Sequence, residues 1–187
     1  MARIKPIERS NAPHDVEELF KQMDALGKPP PNAHLTYAQS PSMYKTWFPF
    51  ATYLMPNSIV DPRYRQIVIL RTAYIWKSGY LWAQHADVSA RLSLLSEEDI
   101  ASLSEDNLSH WSPEEDSLIK ACDETKAHGA ILEGTWSALA AFLDDSELVE
   151  LTFLIGQYIL IATTVSSLDI DLDDGMDLPV WSLNAFR

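Results

Sequence analysis

The sequence predicts an all-α, single-domain helical bundle, and three observations carry that prediction. Apolar residues recur at helical spacing in several stretches, and nothing alternates with period two for long enough to make a strand. Helix starts are marked by capping residues followed three positions later by an acid, most clearly in Ser112-Pro113-Glu114-Glu115. At 187 residues and 47% hydrophobic content, the chain can bury one sizeable core. No linker long enough to separate domains interrupts it. About eight helices are expected, divided as an N-terminal arm and helix (1–30), a helical domain (31–171) and a C-terminal tail (172–187) packing on the domain or on a neighbouring subunit.

Residues to about Ala12 read as an arm. Pro13, with Asp15, Glu17 and Glu18 in the next turn, starts an amphipathic helix in which Val16, Leu19, Phe20, Met23 and Leu26 repeat until Gly27. Lys28 to Asn32, KPPPN, cannot continue it, because successive prolines remove donors and force extended geometry. Ala33 to Ala38 allows a short helix. Ser40-Pro41 then opens an aromatic-rich helix to about Met55, in which Pro49 predicts a bend. Asp61 to Trp76 is an apolar helix, a short break follows to Gly79, and a second helix runs on to about Leu95. Ser96 to Asp99 caps a short helix, Ser112 starts one ending near Lys126, Trp136 to Leu143 marks another, and Asp144 to Glu147 begins the long apolar one.

The net charge of −13, from 14 basic and 27 acidic residues, gives no electrostatic footprint for nucleic acid or an anionic membrane surface. Neither partner is expected. The single cysteine, Cys122, rules out an intramolecular disulfide, and the N-terminus lacks the apolar core of a signal peptide, so the expected location is the cytoplasm. Leu151 to Leu168 has no charged residue and reaches the lower edge of membrane-spanning length. Its Gly156, Gln157, threonines and serines, with acidic rather than basic flanks, read as a buried core or interface helix. The four aspartates Asp169, Asp171, Asp173 and Asp174 lack the spacing of a calcium loop and read as a solvated acidic turn. The histidines His14, His34, His110 and His128 are scattered, and no metal site is read from them.

The central stretch, Asp61 to Leu95, organises the rest. In its second helix Leu81, His85, Val88 and Leu92 fall at offsets of zero, four, seven and eleven, one stripe of a 3.6-residue period, so His85 points where leucines point. The run Arg65-Gln66-Ile67-Val68-Ile69-Leu70-Arg71, followed by Ser78-Gly79-Tyr80-Leu81-Trp82-Ala83-Gln84-His85, resembles the carboxymuconolactone decarboxylase and alkylhydroperoxidase D-like family. There an Arg-Glu-apolar-Ile-Leu-Arg run precedes a Cys-x-x-Cys-x-x-x-His segment or its cysteine-free version. The resemblance extends over roughly Pro31 to Asp171. It implies an alkylhydroperoxidase D-like bundle, no cofactor, assembly as a trimer or hexamer, and a functional histidine at His85. The histidine matches; the glutamate is replaced by Gln66, and Ser78 and Leu81 stand where the two cysteines would be. Neither can form a disulfide or a sulfenate, so dithiol hydroperoxide reduction is excluded.

Two readings remain for each candidate residue. His85 is either a proton-exchanging group in a pocket or a core histidine bonded to a backbone carbonyl. Gln66 either orients His85 and donates to an oxyanion or simply packs, since an amide cannot act as a general base. Ser78 is the N-cap of the His85 helix, and that helix start is also a natural seat for a substrate carboxylate. Ser78 lies about 10 Å from His85 along the axis, too far for a small lactone acid to touch both. Tyr80, Trp82 and Tyr158 either wall a pocket or pack in the core. The expected activity is acid/base chemistry on a small organic acid, lactone or related carbonyl compound, as decarboxylation or isomerisation. The alternative is a non-catalytic oligomeric binding or structural protein that kept the fold.

Overall fold

The structure is a computed structural model and describes residues 2–25, 27, 29–105 and 110–182. Leu26, Lys28, most of the loop before Trp111, and the tail residues Leu183 and Phe186 lie outside the described residues. Within them the chain forms nine α-helices and no strand: α1 (His14–Ala25), α2 (Asn32–Tyr37), α3 (Pro41–Thr52), α4 (Pro62–Ile75), α5 (Gly79–Arg91), α6 (Glu97–Ser102), α7 (Pro113–His128), α8 (Glu133–Leu139) and α9 (Asp145–Ser167).

Three of the caps read from the sequence are formed, whereas Ser40 and Ser78 hold N-cap positions without a side-chain cap bond. Ser96 with Asp99, Ser112 with Glu115, and Asp144 with Glu147 each make a reciprocal capping box at the starts of α6, α7 and α9. Gly129, at φ 76°, closes α7 in the left-handed region that glycine adopts without a Cβ penalty. Arg63 reaches the third-position acids of two of these boxes, bonding Asp99 at 3.0 Å and Glu115 at 2.7 Å, and so ties the start of α4 to α6 and α7.

Helix α4 is the centre. Every residue from Arg65 to Ala73 is buried, because α5, α7 and α9 pack around it. Burial on all sides favours apolar residues all round, so the polar members of this stretch need partners. Arg65 donates to the carbonyls of Ser58 and Val60. Arg71 makes a two-pronged pair with Asp123 at 2.8 Å and donates to the carbonyls of Leu103 and Glu105, bolting α4 to α7. Cys122 of α7 lies in this core and donates to the carbonyl of Val68; burial pushes its thiol up to about 12, which leaves it unreactive.

Among the described residues, α9 is the one helix long and apolar enough by length and composition to cross a membrane. One face, including Leu151, Leu154, Ile155, Tyr158 and Ala162, is buried in the domain. The opposite face leaves Val149, Phe153 and Leu160 about half exposed.

A second apolar cluster gathers Phe20 of α1, Tyr37 of α2, and Tyr44 and Phe48 of α3 with Tyr80 of α5 and Val165 of α9. Helix α3 contains Pro49 and widens into a π-type turn, Tyr53–Asn57, around Pro56.

The tail folds back over α5. Trp181 makes edge-to-face contacts with Tyr74 and Trp82, and a Cβ at Gly79 would meet the Ser182 side chain at 2.5 Å. The acidic turn differs from expectation at one residue. Asp173 is half-buried rather than solvated, because it accepts hydrogen bonds from Tyr80, from the Asn32 backbone N–H and from Gln84.

Candidate active site

A cavity of about 300 Å³ opens between α2 and α3 on one side and α5 and α9 on the other. The stripe Leu81, His85 and Val88 lines it, with Gln84 and Arg91 on the same helix. The periodic face of α5 thus looks into a cavity and not into solid core, and Leu92, its last expected member, is exposed. Tyr80 begins the wall and Tyr158 of α9 closes it. Arg91, half-exposed and 4.0 Å from Asp87, stands at the rim.

His85 is 9% exposed. Its Nδ1 lies 3.0 Å from Oε1 of Gln66, which also accepts from the Ser89 hydroxyl at 3.2 Å. An amide oxygen only accepts, so the proton sits on Nδ1 and Nε2 keeps its lone pair. The Tyr158 ring meets the imidazole edge to face at 5.1 Å between centroids. Burial, with no acid beside it, pulls the His85 pKa down to about 3, so the ring is neutral at ordinary pH. Gln66 itself is 2% exposed and stands behind His85 rather than in the cavity.

Tyr80 lines the cavity with its hydroxyl tied down, donating to Asp173 at 2.8 Å and accepting from the Ala33 N–H at 3.1 Å. Two expected site residues lie elsewhere. Ser78 occupies the N-cap position of α5, but its hydroxyl makes no cap bond and is buried without a partner. The side chains of the tail residues Leu178 and Ser182 lie against that helix start at Gly79. Trp82 does not line this cavity; its ring packs against Trp181 of the tail and Tyr74 of α4.

The opposite wall was not read from the sequence as part of a site. It contributes His34 and Tyr37 of α2 and Trp47 of α3. His34 Nδ1 lies 2.9 Å from the Tyr44 hydroxyl, and the rings of Tyr37, Tyr44, Trp47 and Phe48 surround it within 6.3 Å between centroids. Burial among these rings lowers its pKa to about 4. Three polar atoms of cavity-lining residues, Tyr37 Oη, Trp47 Nε1 and Gln157 Nε2, have no hydrogen-bond partner among the described residues. No local pattern marks this wall, since α2 is six residues long and follows a proline run. The only available signal was the density of aromatics between Tyr37 and Phe50.

Among the described residues no three His, Cys, Asp or Glu side chains converge as metal ligands would. The cavity is chemically a neutral, aromatic-walled chamber with one fixed imidazole acceptor, a second imidazole opposite, and a guanidinium at its edge.

No protein-family profile matches the chain, and no curated protein matches it. Solved structures do. An alkylhydroperoxidase AhpD core, an uncharacterized peroxidase-related protein from Ralstonia eutropha JMP134, superposes with a TM-score of 0.79 at 17% identity, over 92% of this chain and 93% of that one. An uncharacterized peroxidase-related protein from Silicibacter sp. TM1040 gives 0.77 at 15% identity, over 88% and 87%. The debrominase Bmp8 in complex with 2,3,4-tribromopyrrole gives 0.77 at 16%, over 91% of each chain. The chain therefore has the all-α, alkylhydroperoxidase D-like fold.

Proposed function

We propose that the chain is a cofactor-free acid/base enzyme acting on a small enolisable carbonyl compound, lactone or organic acid. The observation that carries this reading is His85 on the cavity wall with Nδ1 locked by Gln66, which leaves a single fixed base, Nε2, for a bound molecule. A cavity of about 300 Å³ suits a compact ring rather than a polymer. Arg91 at the rim supplies a cation for an acidic substituent.

Between the two reactions expected from the sequence, a proton shift fits this site better than decarboxylation. A neutral imidazole must accept a proton before it can give one, and in a proton shift the substrate supplies it. His85 Nε2 takes the proton from the carbon beside the carbonyl, the C–H electron pair moves into the enolate, and the imidazolium returns the proton to another carbon of the same system. The negative enolate beside the ring favours the charged imidazolium while it lasts.

The second reading, a binding protein without turnover, is favoured by one observation: Gln66, an amide, cannot relay protons away from His85. The two are separated with a panel of enolisable lactones and keto acids in D2O, beginning with α-angelica lactone. Carbon-bound deuterium in the product, falling about 10² to 10⁴-fold in His85→Ala, supports the enzyme. Compounds that bind and raise the melting temperature without exchanging a proton support the binder.

We also propose self-association through the half-exposed apolar stripe of α9, Val149, Phe153 and Leu160. Sedimentation equilibrium of Phe153→Glu against the unaltered chain tests it, with a shift to monomer expected.

A further inference from the structure

The two histidines of the cavity are held by partners of opposite character. Gln66 offers His85 an amide oxygen, which only accepts, so His85 carries its proton on Nδ1. Tyr44 offers His34 a phenol. Its hydroxyl has two neighbours, His34 Nδ1 at 2.9 Å and Met23 Sδ at 4.0 Å. An imidazole nitrogen is a far stronger acceptor than a thioether and is at hydrogen-bond distance, so the phenol donates to Nδ1. His34 is then the tautomer with its proton on Nε2. Both residues line the same cavity, each with Nδ1 engaged by the protein, so each has Nε2 left for a bound molecule. One nitrogen is a lone pair and the other an N–H.

We propose that His34 is a second catalytic residue, donating from Nε2–H to the carbonyl oxygen of the substrate while His85 Nε2 takes the carbon-bound proton. This rests on the acid/base reading above and deepens it. In the first step the C–H bond breaks, its proton goes to His85, and its electron pair moves through the new carbon–carbon double bond onto oxygen. The oxygen's developing charge is met by the His34 N–H. In the second step the enolate carbon system takes the proton back from His85 at another carbon, and the His34 hydrogen bond weakens as the carbonyl reforms. Nothing is oxidised or reduced. A neutral imidazole is the suitable donor here because a charged one would add an unpaired cation to an aromatic wall.

The arrangement also assigns substrate class. The reacting molecule must offer a carbonyl oxygen to the His34 wall and an acidic C–H, on the carbon beside that carbonyl, to the His85 wall, which describes unsaturated lactones and β-dicarbonyl compounds. Saturated acids and alcohols lack the second feature.

The test is the tautomeric state of each ring, read from two-bond ¹H–¹⁵N correlation spectra of the histidine-labelled protein at neutral pH, with signals assigned through His34→Gln and His85→Gln. The expected result is opposite patterns: protonated Nδ1 and bare Nε2 for His85, bare Nδ1 and protonated Nε2 for His34. In Tyr44→Phe the His34 pattern alone should change. A protonated Nδ1 on His34, or an imidazolium there, would overturn the proposal. With α-angelica lactone, His34→Gln and Tyr44→Phe should lower kcat by about 10 to 10²-fold with the His85 signals intact, and an unchanged kcat would also overturn it. If the unaltered protein binds this lactone panel without proton exchange, the enzyme reading fails, and the tautomer spectra by themselves decide whether His34 presents a donor to the bound ring.

Discussion

The two walls of the cavity are built in opposite ways. The His85 wall stands on α5, a helix of 13 residues, backed by the buried middle of α4 and by α9. The imidazole there is fixed by a second side chain, itself bonded to a third, Ser89. The His34 wall stands on the six residues of α2 and on α3, a helix interrupted by Pro49 and widened beyond it. What fixes His34 is a cage of aromatic rings and one phenol. Regular helix supplies position on one side, and ring packing supplies it on the other. Catalytic geometry does not require that both halves of a site sit on equally regular backbone, provided each side chain is held by its neighbours.

The sharpest way to break the comparison is to remove each imidazole in turn. His85→Ala should cost about 10² to 10⁴ in kcat, and His34→Gln roughly one to two orders less, because proton abstraction has no substitute and oxyanion donation has a partial one in the amide. Equal losses would mean that neither wall has the leading role.

Acid should strike both walls alike. Both histidines have pKa values lowered by burial, to about 3 for His85 and about 4 for His34. Between those values and the ordinary histidine value the unfolded chain binds protons that the folded one refuses. Stability is therefore full above about pH 6.5 and falls as the pH drops, by roughly 2 kcal/mol for each ring at about pH 5. Urea unfolding at several pH values measures this, and His85→Gln should remove about half of the slope.

Gln66→Leu leaves the buried Nδ1–H of His85 and the Ser89 hydroxyl without their acceptor, with an expected loss of about 1 to 3 kcal/mol in denaturant unfolding. Gln66→Glu should instead raise the His85 pKa by placing a carboxylate beside it, visible as a histidine titration moved toward neutrality. Tyr80→Phe gives the smallest effect, about 1 kcal/mol, because it deletes one hydroxyl between Asp173 and Ala33. If stability and turnover both stay unchanged, the link through Tyr80 does not couple the walls.

The same contrast explains what was legible in the sequence. The fold was, because caps, helical periodicity and the Arg65 to His85 run are local signals, and Ser96, Ser112 and Asp144 cap where they were read. Sequence reasoning singled out His85, Tyr80 and Tyr158, and all three line the cavity; Gln66 was singled out too and stands behind it. Of the two readings given to Ser78 and Trp82, the structure has the N-cap position for Ser78 and packing for Trp82, and the tail that meets them returns from about a hundred residues away, which no helical period records. His34 was passed over for a related reason. Its significance comes from the phenol of Tyr44 on another helix and from a proline-rich approach that carries no periodicity.

Asp173 gives the bond between Tyr80, Gln84 and Asn32 a temporal meaning. It joins the start of α2 to α5 across 89 residues of sequence from Gln84. During synthesis the central helices can pair as soon as they leave the ribosome, yet the two walls acquire this shared clamp only when the segment beyond α9 has emerged. A nascent chain stalled after α9 would already carry the residues that line the cavity, but not the carboxylate that pins Tyr80, Gln84 and the Asn32 N–H together, so the two walls are fastened to each other last.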